Sequence, residues 1–441
     1  MTQSLTIEKV ERFIDNFIEN KKPPIGLLRK YRKKTGISSS QIRLSNKSAE
    51  DKLNRCNLIF VADRPNFYFL RVSLALRKLG YKTCLITRWG VTKDERRFFN
   101  TVFIYNNFKE LRLLKNIKKS KIYVQQWIGY NFLPVYISLI VNRKIGCNIN
   151  DYTSTIHKDK KDYTLFNFVK AELDFDFKCE KYILNNIDFV TSFYSDKAYH
   201  PFGKKIVKRV NKHLHFFPCY PITDFFYNKK RKLNSKNFNF LYVGMVAREG
   251  QISSERLEGT IEKYTDNKFH FSIFNNPQVT FADNKKSFKS KYRYIFEILK
   301  KNKYLNFQKG YFPWKLKNFT SKYHFASFPL FTGRVFSKYA FENHVHTKIF
   351  TNIEQCLPIV VSYKHKALYN YVKKHKLGIT IDNKQQLKNF DKVIKSKIKN
   401  YSDLIQNIIN YRKKYSMENR VKFIIQKMKI KRSHFNIGRS K

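Results

Sequence analysis

A lysine near the start of a short apolar helix, a glycine ending a strand, and an arginine in the loop beyond it are the residues here best suited to hold a phosphate. In the stretch 344–363, Thr347 is the expected N-cap of an amphipathic helix, with Ile349, Phe350 and Ile353 turned inward and Lys348 just behind the cap. Such a helix start offers unpaired N–H groups and a partial positive charge, which suit an anion. Pro358 lacks the N–H that a helix interior needs, so it ends the helix and opens an apolar strand from Ile359 to Val361. The same helix, turn and buried strand occur in α/β proteins that bind nothing there, so the segment alone leaves both readings open.

Other residues of chemical interest follow strand-like runs. Gly244 closes the run Leu-Tyr-Val-Gly and either admits a ligand close to the backbone or makes a tight turn. Arg248, farther along that loop, either pairs with a diphosphate or is an ordinary surface residue. Asn150, Asp151 and His157 come just past another strand; a carboxylate or imidazole there could orient a hydroxyl or take its proton, or Asp151 could simply cap a turn. His344 and His346 have the spacing of a metal pair. No carboxylate or cysteine cluster joins them, so no metal is expected and the imidazoles are read as facing a phosphate. His213 and His215 alternate as strand residues do. The patterns of P-loop NTPases, dinucleotide-binding dehydrogenases, serine hydrolases and zincins are absent.

Something must hold these residues in place, and the rest of the chain supplies it. From Asn57 the sequence alternates buried-strand runs with helical ones: Asn57–Asp63, a helix stopped at Gly80, Tyr81–Thr87, Thr101–Tyr105, a Lys-rich helix to about Lys119, Lys121–Gln126, a helix over Asn131–Val141, and Lys144–Asp151. A long helix over about 165–186 and the strand after it follow, with a polar linker at 228–237. A second series begins at Phe238 and runs through Leu377–Asp382. Strands that are apolar throughout and alternate with helices specify parallel sheets covered on both faces. Residues 1–55 form a basic lead-in with a helical stripe at Leu5, Val10, Phe13, Phe17 and Ile18.

The net charge of +55, from 88 basic and 33 acidic residues, either favours phosphate-rich partners or reflects a composition rich in Lys, Asn and Ile; both leave a surface drawn to anionic lipid. Six well-separated cysteines suggest neither a zinc module nor a disulfide framework, and a reducing cytoplasm fits. The first twelve residues contain Glu8 and Glu11 and no apolar core, so no secretory leader is expected. The run Phe132–Val141 is about half the length of a bilayer span. A cytoplasmic protein is expected, with the cytoplasmic face of a membrane as one place of work.

Four stretches carry a resemblance. Thr347-Lys348-Ile349-Phe350 followed by Leu357-Pro358-Ile359-Val360-Val361 resembles the K-L-F-E…G-L-P-V-V segment of GT-B glycosyltransferases, of the retaining group-1 type. Thr351 stands where that family has a ribose-binding Glu, with Glu354 one turn on, and Cys356 stands where it has Gly. Leu241–Gly250 resembles the family's Y-V-G-R-L…K-G loop, with Met245 at the usual Arg and Arg248 near the usual Lys. Gly310, Tyr311, Phe312 and Pro313 resemble its loop beside the nucleotide base, and 180–195 resembles the stretch closing its first domain. Asp151 corresponds loosely to the Asp of its Y-D-x-H-D stretch, while its Gly-rich acceptor loop is replaced by Asp63 and Arg64.

The resemblance implies two doubly wound parallel-sheet, Rossmann-like domains facing a cleft: a lead-in 1–55, an acceptor domain 56–227, a donor domain 238–390, and basic helices and tail 391–441. It implies a metal-independent, hexosyltransferase-like enzyme that moves a sugar from a nucleotide-sugar to a polysaccharide, lipid-linked or other glycan acceptor, with no cofactor. Gly244, Arg248, Tyr311, Phe312, His346, Thr347, Lys348, Thr351 and Glu354 would bind the nucleotide-sugar, and Asp151 and His157 would serve catalysis at the acceptor. The other class of function left open is an inactive scaffold of the same shape, binding nucleic acid or an anionic membrane. Thr351 favours it, although no RNA-recognition signature is present and specific nucleic-acid binding is not expected.

Overall fold

The structure is a computed structural model that describes residues 5–19, 42–45, 48–127, 129–156, 169–194, 214–229, 231, 233, 238–249, 256–277, 285–331 and 344–432. His157 and His213 lie outside these residues. The chain divides into two compact units, one of residues 1–218 with 417–441 and one of residues 219–416. The expected C-terminal segment 391–441 is therefore shared: its first helices belong to the second unit, and the chain rejoins the first at Met417. The expected first boundary at 227 falls earlier, at Pro218.

Among the described residues of the first unit, eight strands form one sheet: β1 (Ile42–Arg43), β2 (Leu58–Ala62), β3 (Thr83–Thr87), β4 (Thr101–Ile104), β5 (Lys121–Gln126), β6 (Gly146–Ile149), β7 (Phe189–Ser192) and β8 (Leu214–Phe216). Their order is β1-β4-β3-β2-β5-β6-β7-β8, with every pairing parallel. Strands β2 and β3 are buried along their whole length, as their apolar runs require of a sheet covered on both faces. Asn66 caps the helix Phe67–Lys78 by accepting from Phe69 N at 2.9 Å, so this helix starts where the apolar period does. The helix Met417–Met428 belongs to this unit, where Lys78 pairs with its Glu418 at 3.0 Å. The expected helix before Lys119 is a 3-10 stretch, Phe108–Asn116.

Cys56 and Cys84 are bonded, against the expectation of six thiols. Their 28-residue separation gives no hint of it. Cys56 lies two residues before the start of β2, and Cys84 lies on the neighbouring β3, opposite Ile59, so the sheet register is what brings the two sulfurs together.

The described residues of the second unit form six parallel strands: β9 (Asn239–Gly244), β10 (His270–Asn275), β11 (Leu305–Lys309), β12 (Phe325–Ser327), β13 (Ile359–Ser362) and β14 (Gly378–Ile381), in the order β11-β10-β9-β12-β13-β14. Counted within the unit this is 3-2-1-4-5-6, the doubly wound order, and β2 to β7 of the first unit repeat it. Its core is strongly aromatic: Phe240 stacks on Phe325 at 5.3 Å and Tyr264 on Phe271 at 4.7 Å. No helix among the described residues is long and apolar enough to cross a membrane. Both units are thus α/β domains with one parallel sheet each, as the sequence predicts. In such sheets ligands sit beyond the carboxyl ends of the strands, where the strand order reverses. That place lies between β2 and β5 in the first unit and between β9 and β12 in the second.

Candidate functional site

In the second unit, β9 ends at Gly244, whose φ is +154°. A Cβ there would lie 2.5 Å from Cε of Lys348 and 2.6 Å from its Cδ, so the lysine stem would have to shift for any other residue, and the backbone angle itself favours glycine. The Lys348 amine donates to the Tyr242 hydroxyl at 2.9 Å, and that hydroxyl donates to the Met245 carbonyl at 2.6 Å. A cation thus rests on the last residue of the first strand, at the reversal point. Tyr242 is a site neighbour that the sequence reading passed over as one more apolar strand residue.

The loop after Gly244 is pinned residue by residue. Val246 N donates to Asn275 Oδ1 at 3.2 Å, Tyr294 OH to the Ala247 carbonyl at 2.8 Å, and Glu249 N to the Lys291 carbonyl at 2.8 Å. Arg248 stands half-buried between two of these anchors. Asn275, at the end of β10, is fully buried, and its Nδ2 has no hydrogen-bond partner among the described residues. Gly310 closes β11, donating to the Asn275 carbonyl at 2.7 Å; a Cβ at Gly310 would meet that oxygen at 2.2 Å.

Behind Lys348 lie three imidazoles. His344 and His346 have ring centroids 4.7 Å apart, and His346 and His365 6.2 Å apart. His365 hydrogen-bonds the Pro329 carbonyl through Nε2. Burial first, and then the Lys348 charge, push His344 down to about 4. Burial and Lys348 act the same way on His365, also at about 4. His346 is held well below its usual value by burial, by its two histidine neighbours and by Lys348. All three are therefore neutral at pH 7, beside the Lys348 amine. His365 lies just past the end of β13, a position that strand ends alone could have flagged. Among the described residues no group of three or more His, Cys, Asp or Glu is placed to hold a metal ion.

The helix Lys348–Glu354 departs from expectation at both ends. It has only seven residues; Thr347 at its start is already helical, at φ −59° and ψ −24°, and its side chain makes no capping hydrogen bond. Ile349 N and Phe350 N donate back to the His346 and Thr347 carbonyls at 3.1 and 3.2 Å. The N–H groups of Ile349 and Phe350 are thus taken up within the turn, and the expected Thr347 side-chain cap does not form. Ile349, Phe350 and Ile353 are fully buried, as their spacing implies. Thr351 is only 7% exposed, and Glu354 is wholly buried with Oε1 accepting from Ile222 N at 3.1 Å. Expected at a ribose, Glu354 instead braces its own unit, because an unpaired backbone N–H reaches it there. Cys356 takes the left-handed conformation, φ 55°, that a glycine would occupy. Leu357 N and Cys356 N donate to the Asn352 and Ile353 carbonyls at 3.1 and 2.9 Å, completing a Schellman turn.

Tyr311 and Phe312 follow Gly310, and each stacks on a later ring: Tyr311 on Phe319 at 3.6 Å, Phe312 on Trp314 at 4.7 Å. Phe319 stays 40% exposed, so this loop presents an aromatic edge to solvent.

The first unit treats the corresponding strand ends differently. Asp63, after β2, pairs with Arg88 Nε at 3.0 Å and accepts from Trp89 Nε1 at 2.8 Å. Asn66 N donates to Gln125 Oε1 at 2.9 Å and Asn66 Nδ2 to Asn150 Oδ1 at 2.7 Å; Asn150 Nδ2 donates to the Gln126 carbonyl at 2.8 Å. Asn150 is therefore a brace. Asp151 accepts from the Tyr194 hydroxyl at 3.1 Å. Two buried carboxylates fasten the neighbouring loops: Asp176 accepts from Gly129 N, Asn131 N and Thr153 Oγ1, and Glu180 from Ser154 N and Oγ. Burial raises Asp176 to about 6 and Glu180 to about 7 despite these donors.

No family model and no curated protein matches the chain. Among solved structures it is similar to Os79 from O. sativa in complex with UDP (TM-score 0.46, 9% identity, covering 84% of this chain and 100% of that one). It is also similar to CalG4, the calicheamicin glycosyltransferase (0.42, 9%, 84% and 98%), and to a UDP-glucose: anthocyanidin 3-O-glucosyltransferase in complex with UDP (0.44, 9%, 85% and 99%).

Proposed function

We propose that the protein is a GT-B glycosyltransferase that moves a hexosyl group from a nucleotide-sugar donor to a polysaccharide, lipid-linked or other glycan acceptor without a metal. The observation that carries this reading is Lys348 seated on Gly244 where the second sheet reverses its strand order. There the amine would stabilise the diphosphate as the anomeric C–O bond breaks, with Arg248 supplying a second cation from the pinned loop. The acceptor oxygen forms the new bond to the anomeric carbon, and its proton leaves to a base or to the departing diphosphate. Tyr311 and Phe312 support this reading as the aromatic loop nearest in sequence to Gly310, suited to a nucleotide base. In the first unit Asp151, held by Tyr194, is the described carboxylate best suited to an acceptor hydroxyl.

Thermal-shift titration with UDP-, GDP-, ADP- and CMP-sugars tests this. Saturable stabilisation by one nucleotide, retained at high salt, is expected. No stabilisation by any of them, together with steeply salt-dependent binding to DNA, RNA or anionic vesicles, would replace the enzyme with a basic scaffold.

A further inference from the structure

Two buried arginines hold the far end of the helix that carries Lys348. Arg412, on the helix Tyr401–Lys414, donates from Nε to the Ile353 carbonyl at 2.7 Å, from Nη2 to the Glu354 carbonyl and from Nη1 to the Tyr227 carbonyl at 3.2 Å. Arg231 donates from Nε and Nη2 to the Gln355 carbonyl at 3.0 and 2.7 Å, and from Nη1 to the Thr320 and Tyr323 carbonyls at 2.9 and 2.6 Å. Arg412 lies over the Phe226 ring at 4.5 Å and Arg231 over the Tyr227 ring at 4.2 Å. The two are 5% and 8% exposed. Burial is the main influence lowering both pKa values, yet a guanidinium remains charged in a protein.

The last carbonyls of a helix have no partners within it and carry the negative end of its dipole. Here three successive carbonyls, 353 to 355, are taken by two cations anchored on separate parts of the unit. One donor fork could hold the end of a helix and still let it swivel; two forks fix its position and its rotation together. Lys348 sits about 10 Å away at the other end of the same short rod. Its stem lies against the Gly244 backbone, so a swivel of the helix would move the amine relative to the glycine.

We infer that Arg231 and Arg412 are positioning residues for the diphosphate site: through the helix Lys348–Glu354 they set where the Lys348 amine stands against Gly244. The inference rests on reading that corner as the diphosphate site. Neither arginine touches the ligand; each acts through the helix.

The test uses the full chain with Arg412→Met, Arg231→Met, the conservative Arg412→Lys, and Ile394→Ala, a cavity elsewhere in the aromatic core of the unit. Melting temperature, UDP, GDP and ADP affinity by calorimetry, and amide exchange over 344–352 are measured for each. The two Met variants should weaken the nucleoside diphosphate about tenfold or more and speed exchange over 346–350, with Arg412→Lys between them and wild type. Ile394→Ala should lower the melting temperature and leave both readouts unchanged. If affinity and exchange merely follow melting temperature across all four variants, the arginines are ordinary structural braces and the inference falls. If wild type binds none of the three nucleotides, the diphosphate reading has failed instead. The positioning of Lys348 is then judged on exchange alone: selective loosening of 346–350 supports it, and uniform loosening overturns it.

Discussion

The two units solve one topological problem in opposite ways. Both sheets reverse their strand order at the same point, and both put polar residues there. In the first unit these groups satisfy one another: Asp63 meets Arg88, the Asn66 and Asn150 amides bond each other, and Asp176 and Glu180 fasten the loops alongside. In the second unit the lysine amine meets a phenol and a bare backbone, with three neutral imidazoles behind it. A shared strand order therefore supplies a location and no chemistry. At that location the first unit holds a carboxylate–guanidinium pair, and the second a lysine amine on a phenol beside three uncharged rings.

The largest expected effect would break the first half of this contrast. Asp63→Ala strips the 2%-exposed Arg88 of its carboxylate and should cost about 3–5 kcal/mol in urea unfolding; a loss under about 1 kcal/mol would show that the pair is not holding the first unit together.

Next comes pH, where the two units should move in opposite directions. Asp176 and Glu180 titrate near 6 and 7 when folded, above their usual 3.8 and 4.5. Their contribution to stability is full below about pH 4 and is lost as pH rises through 6 to 7. His344 and His365 titrate near 4 when folded, below their usual 6.5, so their contribution is present above 6.5 and lost as pH falls toward 4. Each group shifts its unit by on the order of 3 kcal/mol. Amide exchange resolved by unit and corrected for intrinsic rates should show the first unit gaining on the second between pH 7 and pH 4.5. Parallel trends would remove the contrast.

Lys348→Ala sharpens the second half. Losing one charged donor to a diphosphate should weaken nucleotide-sugar binding by about 10–100-fold. By NMR the three imidazoles should titrate at higher pH, because a cation that opposes their protonation is gone. Unchanged affinity would move the anion site away from Gly244.

The smallest effect concerns Cys356. Its left-handed backbone carries a penalty that Ala keeps and Gly relieves. Cys356→Gly should therefore be more stable than Cys356→Ala by about 1 kcal/mol in melting experiments.

Much of this could be read from the chain. The apolar runs at Leu58–Ala62, Thr83–Thr87, Asn239–Gly244 and Ile359–Ser362 are strands, and the helical stripe Ile349, Phe350, Ile353 is buried, as local period dictates. The strand-end position of Gly244 was also legible, because a glycine closing an apolar run needs no tertiary information. Glu354 was misjudged because a carboxylate one turn along a helix looks identical in sequence whether it faces a ligand or Ile222 N. Tyr242 and His365 passed unnoticed because each looks like an ordinary residue of its own segment.

The sequence by itself determined which segments are strands or helices, that they form two parallel-sheet units, and where each strand ends, since these follow from periodicity within a few residues. Only the tertiary structure decided that Lys348 rests on Gly244, that Arg231 and Arg412 grip the end of its helix, that Cys56 meets Cys84, and that the chain returns to its first unit at Met417. Those meetings depend on strand order and register, which join residues far apart in the chain. No local pattern encodes which strand end lies beside which.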